Sequence, residues 1–303
     1  MIARPDYLGH MSRLTGTTLL LVIRWAKRAA IAGLGYCLFE CQVSASENAA
    51  STSKAHLPDE VSPSLVSASL SPLSVLPTPL ALTPLPPSTD VPDSLRKVVR
   101  ALHAALGSAA AQLRPEVLER ACVGYLALRH AGRIRHPGVL AVADMDLPSS
   151  EKRLWVLDLL GGRVLHSSHV AHGRGSGYLR ARRFSNVTKS ACTALGFYRT
   201  QDTYGGKHGL SRRLHGLDAG QNSNAETRYI VLHAADYVSA AYLAQHGQAG
   251  YSRGCPALPP GQYRAIIKSL AEGSGLFLSG PALESKWLNG AVAAQRLAAR
   301  GWR

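Results

Sequence analysis

Hydrophobic positions first repeat with a helical period immediately after residue 92. The residues that share one face of this first predicted helix are Leu95, Val98, Val99, Leu102 and Leu106. A second helix is predicted from about Pro115, and the residues on its apolar face are Val117, Leu118, Ala121 and Tyr125. Together these patterns predict a small helical segment over residues 93–135.

From residue 136 onward the pattern changes to short β-branched and aromatic runs, which are typical of strands. Strands are predicted at residues 139–142, 154–160, 163–170, 194–198, 228–232 and near 276–278. Short helices fit residues 237–246 and 260–270, and residues 282–303 fit a terminal helix. The fold is therefore predicted to be mostly β, with a β-rich domain over residues 136–280 and a C-terminal helical extension over residues 281–303.

Residues 46–92 show neither the period of a strand nor that of a helix. Seven prolines lie between residues 72 and 92, where they would interrupt any helix or central strand. The remaining composition is dominated by Ser, Leu, Ala and Thr. This stretch is predicted to be a disordered Ser/Pro-rich linker.

Residues 1–45 have the features of a targeting segment. Arg24, Lys27 and Arg28 precede a short apolar stretch, and small residues at 43–45 offer a cleavage point. We predict a signal peptide here, or an N-terminal anchor if the segment is not cleaved. The protein is then secreted to the periplasm or cell wall, and an uncleaved segment would tether it to the membrane.

The basic charge of the chain lies beyond its predicted linker. The 303 residues carry a formal net charge of +15, and residues 93–303 hold 28 Lys or Arg against 13 Asp or Glu. This balance suits an anionic partner, although scattered charges are also typical of a plain solvated surface. Predicted export and the lack of a nucleic-acid-binding motif argue against nucleic acid. An anionic lipid surface and an anionic cell-wall polymer remain as partners that fit this charge, and no stable protein partner is predicted.

Cys255 is the cysteine whose surroundings indicate chemistry. It ends the run GYSRGC at residues 250–255, where glycines permit a tight bend that aims backbone N–H groups at one point, as an oxyanion site requires. Cys122 lies in an apolar helical stretch, and Cys192 lies beside a predicted strand. Both are predicted to be small buried residues, with a disulfide between them left open. Three cysteines follow the predicted cleavage point, and an odd number leaves at least one free thiol.

His233 ends a predicted strand and is the candidate base. A thiol in a glycine loop and a histidine at a strand end form a nucleophilic pair if the fold brings them together. A structural cysteine in a tight turn is the alternative interpretation. The spacing alone leaves both open.

Two glycine patterns compete with this interpretation. Gly250-x-Ser252-x-Gly254 has the spacing of a serine-hydrolase elbow, but that fold needs a histidine after the serine, and the last histidine is His246. The run GRGSG at residues 173–177 is a weak echo of a phosphate loop without its lysine. Neither pattern is retained as a functional prediction.

His166, His169 and His172 resemble a metal cluster. On a strand, however, His169 would face away from the other two, and no carboxylate or thiol is near to complete a ligand set. No metal is therefore predicted.

His233 together with Ser252-x-Gly254-Cys255 resembles the signature of L,D-transpeptidase catalytic domains, the YkuD-like cysteine enzymes. Over about residues 110–280 the chain is similar to the murein L,D-transpeptidase catalytic-domain family. The segments that carry this resemblance are residues 147–156 (LPSSEKRLWV), 170–177 (VAHGRGSG), 195–198 (LGFY), 203–211 (TYGGKHGLS) and 231–238 (VLHAADYV). Several motifs in the same order make the resemblance more specific than a lone S-x-G-C.

The resemblance implies a fold, a reaction and a substrate. The fold is a β-sandwich or barrel catalytic domain, and the protein is an exported cysteine acyltransferase that needs no cofactor. The substrates are peptidoglycan stem peptides, which react through a Cys255 thioester with His233 as base. An L,D-carboxypeptidase or endopeptidase that uses the same pair stays open, as does a catalytically silent cell-wall-binding protein.

The resemblance also implies roles for the residues around the thiol. Gly254, Ser252 and Arg253 form the oxyanion loop, with the backbone N–H groups of Gly254 and Cys255 as its donors. The residues implied to bind substrate or support the site are His208, Lys207, Tyr204 and Arg174.

Two positions depart from the family pattern. His233 is followed by Ala234, where the family usually has glycine, and Arg253 stands where the wider superfamily often has histidine. The fixed charge of Arg253 is predicted either to favour the Cys255 thiolate or to hold a substrate carboxylate. A side chain that points to solvent is the alternative.

Overall fold

The computed structural model describes residues 90–303 of the chain. The targeting segment predicted over residues 1–45 and nearly all of the linker predicted over residues 46–92 lie outside the described residues. Within residues 90–303, no helix is long and apolar enough to cross a membrane.

The two predicted N-terminal helices are α1, Asp93–Leu106, and α2, Pro115–His130. Helix α1 buries the expected stripe except for Val98, which is 38% exposed. Helix α2 begins at a proline, whose missing N–H is tolerated in the first turn, and it is buried on almost every side. A third packed helix, Gly290–Arg300, lies in the C-terminal extension and contacts both of them.

Eight strands form a single mixed sheet in the order β3-β2-β1-β8-β4-β5-β6-β7. The strands are β1 Val139–Asp144, β2 Leu154–Asp158, β3 Arg163–Ser168, β4 Gly196–Gly206, β5 Gly209–Gly216, β6 Val231–Ala234, β7 Ala257–Leu258 and β8 Gly275–Ser279. Neighbours are antiparallel except for β1–β8 and β6–β7, which are parallel. The prediction of a mostly β fold with short helices is confirmed.

Several strand boundaries differ from their predictions. The hairpin β4–β5 extends through residues 199–216, where the sequence is polar and rich in glycine and therefore carries no alternating pattern. Strand β6 begins at Val231, so Arg228 precedes the strand that was predicted to include it. The two predicted short helices are α3, Ala240–His246, and α4, Tyr263–Ser269, and the C-terminal helix is α5.

One hydrophobic core joins the helices to the sheet. The rings of Phe197 on β4 and Phe277 on β8 stack with centroids 4.3 Å apart. Gly124 of α2 leaves room for this stack, because a Cβ there would lie 1.9 Å from the Phe197 ring. Tyr125 accepts a hydrogen bond from the Gly138 N–H at 2.7 Å and donates to the Trp302 carbonyl at 2.9 Å. The helical segments are therefore integral to the β-rich core.

Candidate active site

The short strands β6 and β7 bring the candidate base and nucleophile to one end of the sheet. His233 pairs with Ala257 across the parallel β6–β7 ladder, and Cys255 lies two residues before Ala257 in the chain. Ala234 lies within β6, where an extended backbone accepts alanine as readily as glycine. The departure from the family's His-Gly pattern therefore costs no backbone strain.

The loop before Cys255 holds its own shape. Gly254 has φ +126°, and a Cβ there would lie 2.7 Å from the Cys192 carbonyl oxygen, so only glycine fits without a shift. The Ser252 hydroxyl donates to the Cys255 carbonyl at 2.7 Å and accepts from the Gly254 N–H at 3.0 Å. Ser252 thus closes a tight turn around the glycine.

This turn corrects the predicted oxyanion donors. The Gly254 N–H is directed to the Ser252 hydroxyl, so it is engaged inside the loop rather than directed at a substrate. Among the described residues the Cys255 N–H has no hydrogen-bond partner, which leaves it available as a donor. Gly254 and Ser252 act on the loop's conformation.

The segment around His172 supports the loop through backbone hydrogen bonds. The Ser252 N–H donates to the His172 carbonyl at 3.0 Å, and the Arg174 N–H donates to the Ser252 carbonyl at 2.9 Å. Arg174 therefore supports the loop through its backbone. Its side chain is exposed and is not among those that line the cavity beside Cys255, so the substrate role implied for Arg174 stays a prediction.

His172 is a structural histidine. Arg153 is fully buried and donates to the His172 Nδ1 at 2.7 Å, so the proton of the neutral ring is on Nε2, which donates to the Gly177 carbonyl at 3.2 Å. Burial, together with the charge of Arg153, lowers the pKa of His172 to about 4. This histidine is neutral at pH 7 and fully used by its neighbours.

The ring of His233 is oriented by its own strand. Its Nδ1 lies 2.8 Å from the Ala234 carbonyl oxygen, and because a carbonyl can only accept, the proton is on Nδ1. The lone pair of Nε2 is then free to take a proton. Burial lowers the pKa of His233, and the neighbouring His208 and Lys207 lower it further. The His208 and His233 ring centroids are 4.6 Å apart.

The thiol of Cys255 is half-buried and protonated at rest. Its Sγ lies 3.6 Å from the Tyr229 carbonyl oxygen. Burial raises the pKa of Cys255, while the Val231 N–H and the charge of Arg228 partly oppose that rise. Arg253, which was predicted to favour the thiolate, is exposed and is not among the groups that shift this pKa. The cation that acts on the thiol is Arg228.

Arg228 also binds two backbone carbonyl groups. Its Nη1 donates to the Ser185 carbonyl at 2.7 Å and its Nη2 to the Cys192 carbonyl at 2.5 Å. One guanidinium therefore connects the segment before β6 to the loop before β4. Sequence reasoning missed this residue, since its position just ahead of a strand gives no signal of what it faces in the fold.

A cavity of about 800 Å³ contains most of the predicted site residues. The predicted residues that line it are Cys255, His233, Ser252, Arg253, His208, Lys207 and Tyr204. It is also lined by residues that the sequence did not single out, chiefly Lys189, Arg228, Tyr229, Tyr237 and Tyr251. Burial raises the pKa of Tyr237 to about 12, and the nearby Cys255 contributes to the rise.

The backbone around this cavity is strained. Lys189, Ala191 and Tyr229 have φ of 65°, 55° and 55°, and all three line the cavity. Such conformations cost about 1–3 kcal/mol each in residues other than glycine, and they concentrate at functional sites. The same region also contains the glycine-dependent turn before Cys255.

The competing motifs have ordinary structural roles. The Nε2 of His166 contacts the Ser269 hydroxyl, and the Nε2 of His169 contacts the Ser150 carbonyl. The glycines of residues 173–177 serve close packing, because a Cβ on Gly173 would lie 2.2 Å from the Ala191 carbonyl oxygen. No group of metal-binding side chains occurs among residues 90–303.

Cys122 and Cys192 are both buried and both free thiols. The disulfide that the sequence left open is therefore not formed in this structure. Burial raises the pKa of Cys122 strongly, which makes it an unreactive core residue.

Residues 109–278 match the sequence model of the YkuD_2 family, the L,D-transpeptidase catalytic domain. This chain belongs to that family. The match includes helix α2 as well as the sheet, and it confirms the resemblance that the motifs indicated over about residues 110–280. Comparison with curated proteins gave no match.

Among solved structures, an L,D-transpeptidase from Mycobacterium smegmatis is 16% identical, with a TM-score of 0.30 over 48% of this chain and 59% of that one. One from Mycobacterium tuberculosis is 15% identical, with a TM-score of 0.32 over 48% and 58%. A mutant of a helical cell shape determining protein from Campylobacter jejuni is 11% identical, with a TM-score of 0.34 over 59% and 64%. The chain thus spans about three fifths of these structures, and family membership rests on the family match.

Proposed function

We propose that this protein is an exported cysteine L,D-transpeptidase that acts on peptidoglycan stem peptides through a Cys255 thioester. The observation that carries the proposal is that the Cys255 thiol and a His233 ring with a free Nε2 line the same open cavity. Membership of the L,D-transpeptidase catalytic-domain family supports the reaction class.

The reaction has two acyl-transfer steps. The Cys255 sulfur attacks the carbonyl carbon between the third, L-centred residue of a stem peptide and the following D-residue, while the His233 Nε2 takes the thiol proton. The C–N bond then breaks, and the leaving amine receives that proton. In the second step an amine of another stem attacks the thioester, the C–S bond breaks, and the proton of the amine returns to the sulfur through His233.

The resting protonation states define the part that His233 plays. The raised pKa of Cys255 keeps the sulfur as a thiol at pH 7, and the lowered pKa of His233 keeps its ring neutral. A preformed thiolate–imidazolium pair is therefore disfavoured. His233 acts as a general base during the attack, and the Cys255 N–H is the loop donor available to the developing oxyanion.

Hydrolysis is the second candidate, because water entering the same cavity can attack the same thioester. The cavity is open and several of its lining residues are exposed, among them Lys207, His208 and Arg253. An L,D-carboxypeptidase or endopeptidase would then result without any change in the pair.

The deciding experiment incubates the pure protein with a stem tetrapeptide and an acceptor stem. Mass spectrometry then follows both the peptides and the intact protein. A transpeptidase gives a cross-linked product and a Cys255 acyl adduct, and a hydrolase gives only trimmed peptide. Unchanged peptides and unmodified protein would contradict both activities and favour a silent wall-binding protein. The Cys255→Ala variant is the control for adducts formed elsewhere.

Export is part of the proposal and is supported by the basic and apolar pattern of residues 1–45. The periplasm or cell wall is where a stem-peptide substrate is found, and the excess of basic residues over 93–303 suits an anionic wall polymer. Fusion of residues 1–92 to a reporter that is active only outside the cytoplasm tests this. An inactive reporter contradicts export, and N-terminal sequencing of an exported fusion locates the cleavage site.

A further inference from the structure

The cavity beside Cys255 is basic and contains no acidic side chain. Four of its lining residues are Lys or Arg, namely Lys189, Lys207, Arg228 and Arg253, and none is Asp or Glu. Its remaining polar lining consists of hydroxyl groups and histidines. A carboxylate entering the cavity would therefore meet only cations and neutral donors.

Three of the four lining cations are not neutralised by the protein. Lys189, Lys207 and Arg253 are exposed, and none of them forms a salt bridge within residues 90–303. Arg228 differs, because its guanidinium is half-buried and is used by the Ser185 and Cys192 carbonyls. The three exposed cations are here called the cationic rim.

The acidic side chains that flank the cavity in sequence turn elsewhere. Glu226 accepts hydrogen bonds from Gln201 and lies 3.1 Å from the Nδ1 of His215. Asp236 precedes Tyr237, a lining residue, but does not itself line the cavity. No acidic lining residue therefore compensates the positive charge of the cationic rim.

The rim comes from three separate segments of the chain. Lys189 lies in the loop before β4, where its backbone has φ 65°. Lys207 lies at the tip of the β4–β5 hairpin. Arg253 lies two residues before the thiol in the loop of residues 250–255, here called the nucleophile loop. Three independent segments that each place an unpaired cation at the same cavity are what recognition of an anionic ligand requires.

We propose that the cationic rim of Lys189, Lys207 and Arg253 selects acyl donors whose carboxylates are free over the same donors with those groups converted to carboxamides. This inference rests on the proposed acyl transfer at Cys255. A carboxamide keeps the size of a carboxylate but has no charge, so it forgoes the attraction of all three cations. Exposed charge pairs are each worth about two- to fivefold in affinity, so the combined preference is on the order of tenfold.

A pair of alkylating reagents that match in size and differ in charge tests the rim without any substrate. Iodoacetate and iodoacetamide alkylate the same thiol by the same displacement, and they differ in a carboxylate against a carboxamide. The ratio of their rates at Cys255, divided by the ratio for a free cysteine peptide, should be about tenfold in low salt. Any change in thiol pKa affects both reagents equally and cancels in the ratio.

A triple variant without the cationic rim should have a ratio close to that of the peptide. This rim variant carries Lys189→Met, Lys207→Met and Arg253→Met. The matched control is Lys97→Met, Arg100→Met, Lys268→Met, which removes the same charge from exposed positions outside the cavity and should keep the wild-type ratio. If the rim variant does not fold, 0.5 M salt applied to the wild type should lower the ratio several-fold. A wild-type ratio equal to the peptide's, or one unchanged in the rim variant, overturns the proposal.

A substrate comparison then separates this inference from the proposed function. Two synthetic acyl donors that differ only in a free or an amidated carboxylate are compared by kcat/KM for acylation of Cys255. The acid should react about tenfold faster, mainly through KM, and the preference should vanish in the rim variant. Equal rates would contradict the selectivity proposed for the cationic rim but not the proposed acyl transfer. If neither donor acylates Cys255, the proposed function is contradicted, and the alkylation ratio still tests whether the cationic rim selects carboxylates.

Discussion

The centre of the sheet and its β6–β7 end are built in contrasting ways. At the centre, β1 and β8 pair in parallel, and nearly all of their side chains are buried and apolar. At the β6–β7 end, β7 is only two residues long, and the cavity beside it is basic and lined by non-glycine residues with positive φ. The contrast indicates that packing at the centre stabilises the fold, while the end holds costly backbone conformations of the kind that concentrate at functional sites.

The contrast is sharpest at two glycines. Gly124 lies under the Phe197 ring in the core, whereas Gly254 lies in the nucleophile loop. Neither position has room for a methyl group, but the neighbours differ. At Gly124 the neighbour is a packed aromatic ring, and at Gly254 it is the backbone of the loop before β4. Substitutions at the two positions should therefore separate stability from activity.

The largest expected effect is that of Gly254→Ala on activity. A Cβ at φ +126° lies 2.7 Å from the Cys192 carbonyl, so the loop must move and Cys255 moves with it. A displacement of about 1 Å at a reacting group costs on the order of 100-fold in rate, and we expect that loss in kcat/KM for acyl transfer.

The matched control for this variant is Gly247→Ala. Gly247 has φ +68° at the end of α3, and nothing lies within 4 Å of its Cβ position. It should lose about 1 kcal/mol of stability, because alanine is strained in the left-handed region, without losing activity. An active Gly254→Ala enzyme would show that the loop tolerates displacement and would weaken the contrast.

Gly124→Ala is expected to reduce stability more than activity. The new methyl group would lie 1.9 Å from the Phe197 ring, which is held by its stack on Phe277. Overpacking of this kind costs about 1–3 kcal/mol in free energy of unfolding, partly offset by the better helix propensity of alanine. Urea unfolding measures the loss. Gly261→Ala has open space around it and should change stability by less than about 0.5 kcal/mol.

Sequence and structure agree best at the centre. Burial on both faces produces the continuous apolar runs from which β1, β2 and β8 were predicted. The β4–β5 hairpin was largely missed, because its outer half is polar and half-exposed and so carries no alternation. Local propensity says little about a strand of that kind.

Around the cavity, sequence reasoning singled out the residues that follow one another in a motif and did not single out those that the fold brings in from elsewhere in the chain. Cys255, Ser252 and Gly254 belong to one run, and His233 ends a strand, so both features could be read along the chain. Arg228 acts on the thiol across the loop before β4, and no local pattern encodes such an approach. The engagement of the Gly254 N–H by Ser252 likewise depends on side-chain geometry that spacing does not specify.

His172, in the segment that supports the nucleophile loop, should make the folded protein less stable in acid. Unfolded His172 binds a proton near pH 6.5, whereas its folded pKa is about 4, so the unfolded state binds more protons as the pH falls between these values. The protein keeps the full stability contribution of His172 above about pH 6.5. At pH 5 the free energy of unfolding should be lower by about 2 kcal/mol. The measurement is the free energy of urea unfolding at pH 5 and pH 7.5.

His172→Gln should remove that part of the pH dependence, although it lowers stability at pH 7.5. His246→Gln, at an exposed histidine of α3, is the control for loss of an imidazole. If the His172→Gln variant and the wild type lose the same unfolding free energy between pH 7.5 and pH 5, His172 does not set the acid sensitivity.

The smallest expected effect is that of Arg253→Met on the thiol, and it concerns the two arginines of the cavity. Arg228 is the cation that lowers the pKa of Cys255, whereas Arg253 is exposed and does not contribute. The pH profile of iodoacetamide alkylation should therefore shift by less than about 0.2 pH unit in Arg253→Met, while KM for an acidic donor rises about two- to fivefold. Arg228→Met should shift the alkylation profile to higher pH, because the thiolate loses its one charged stabiliser among the described groups. A clear shift in Arg253→Met would mean that the adjacent charge reaches the sulfur after all, and the distinction between a cation for the thiol and a cation for the substrate would fall.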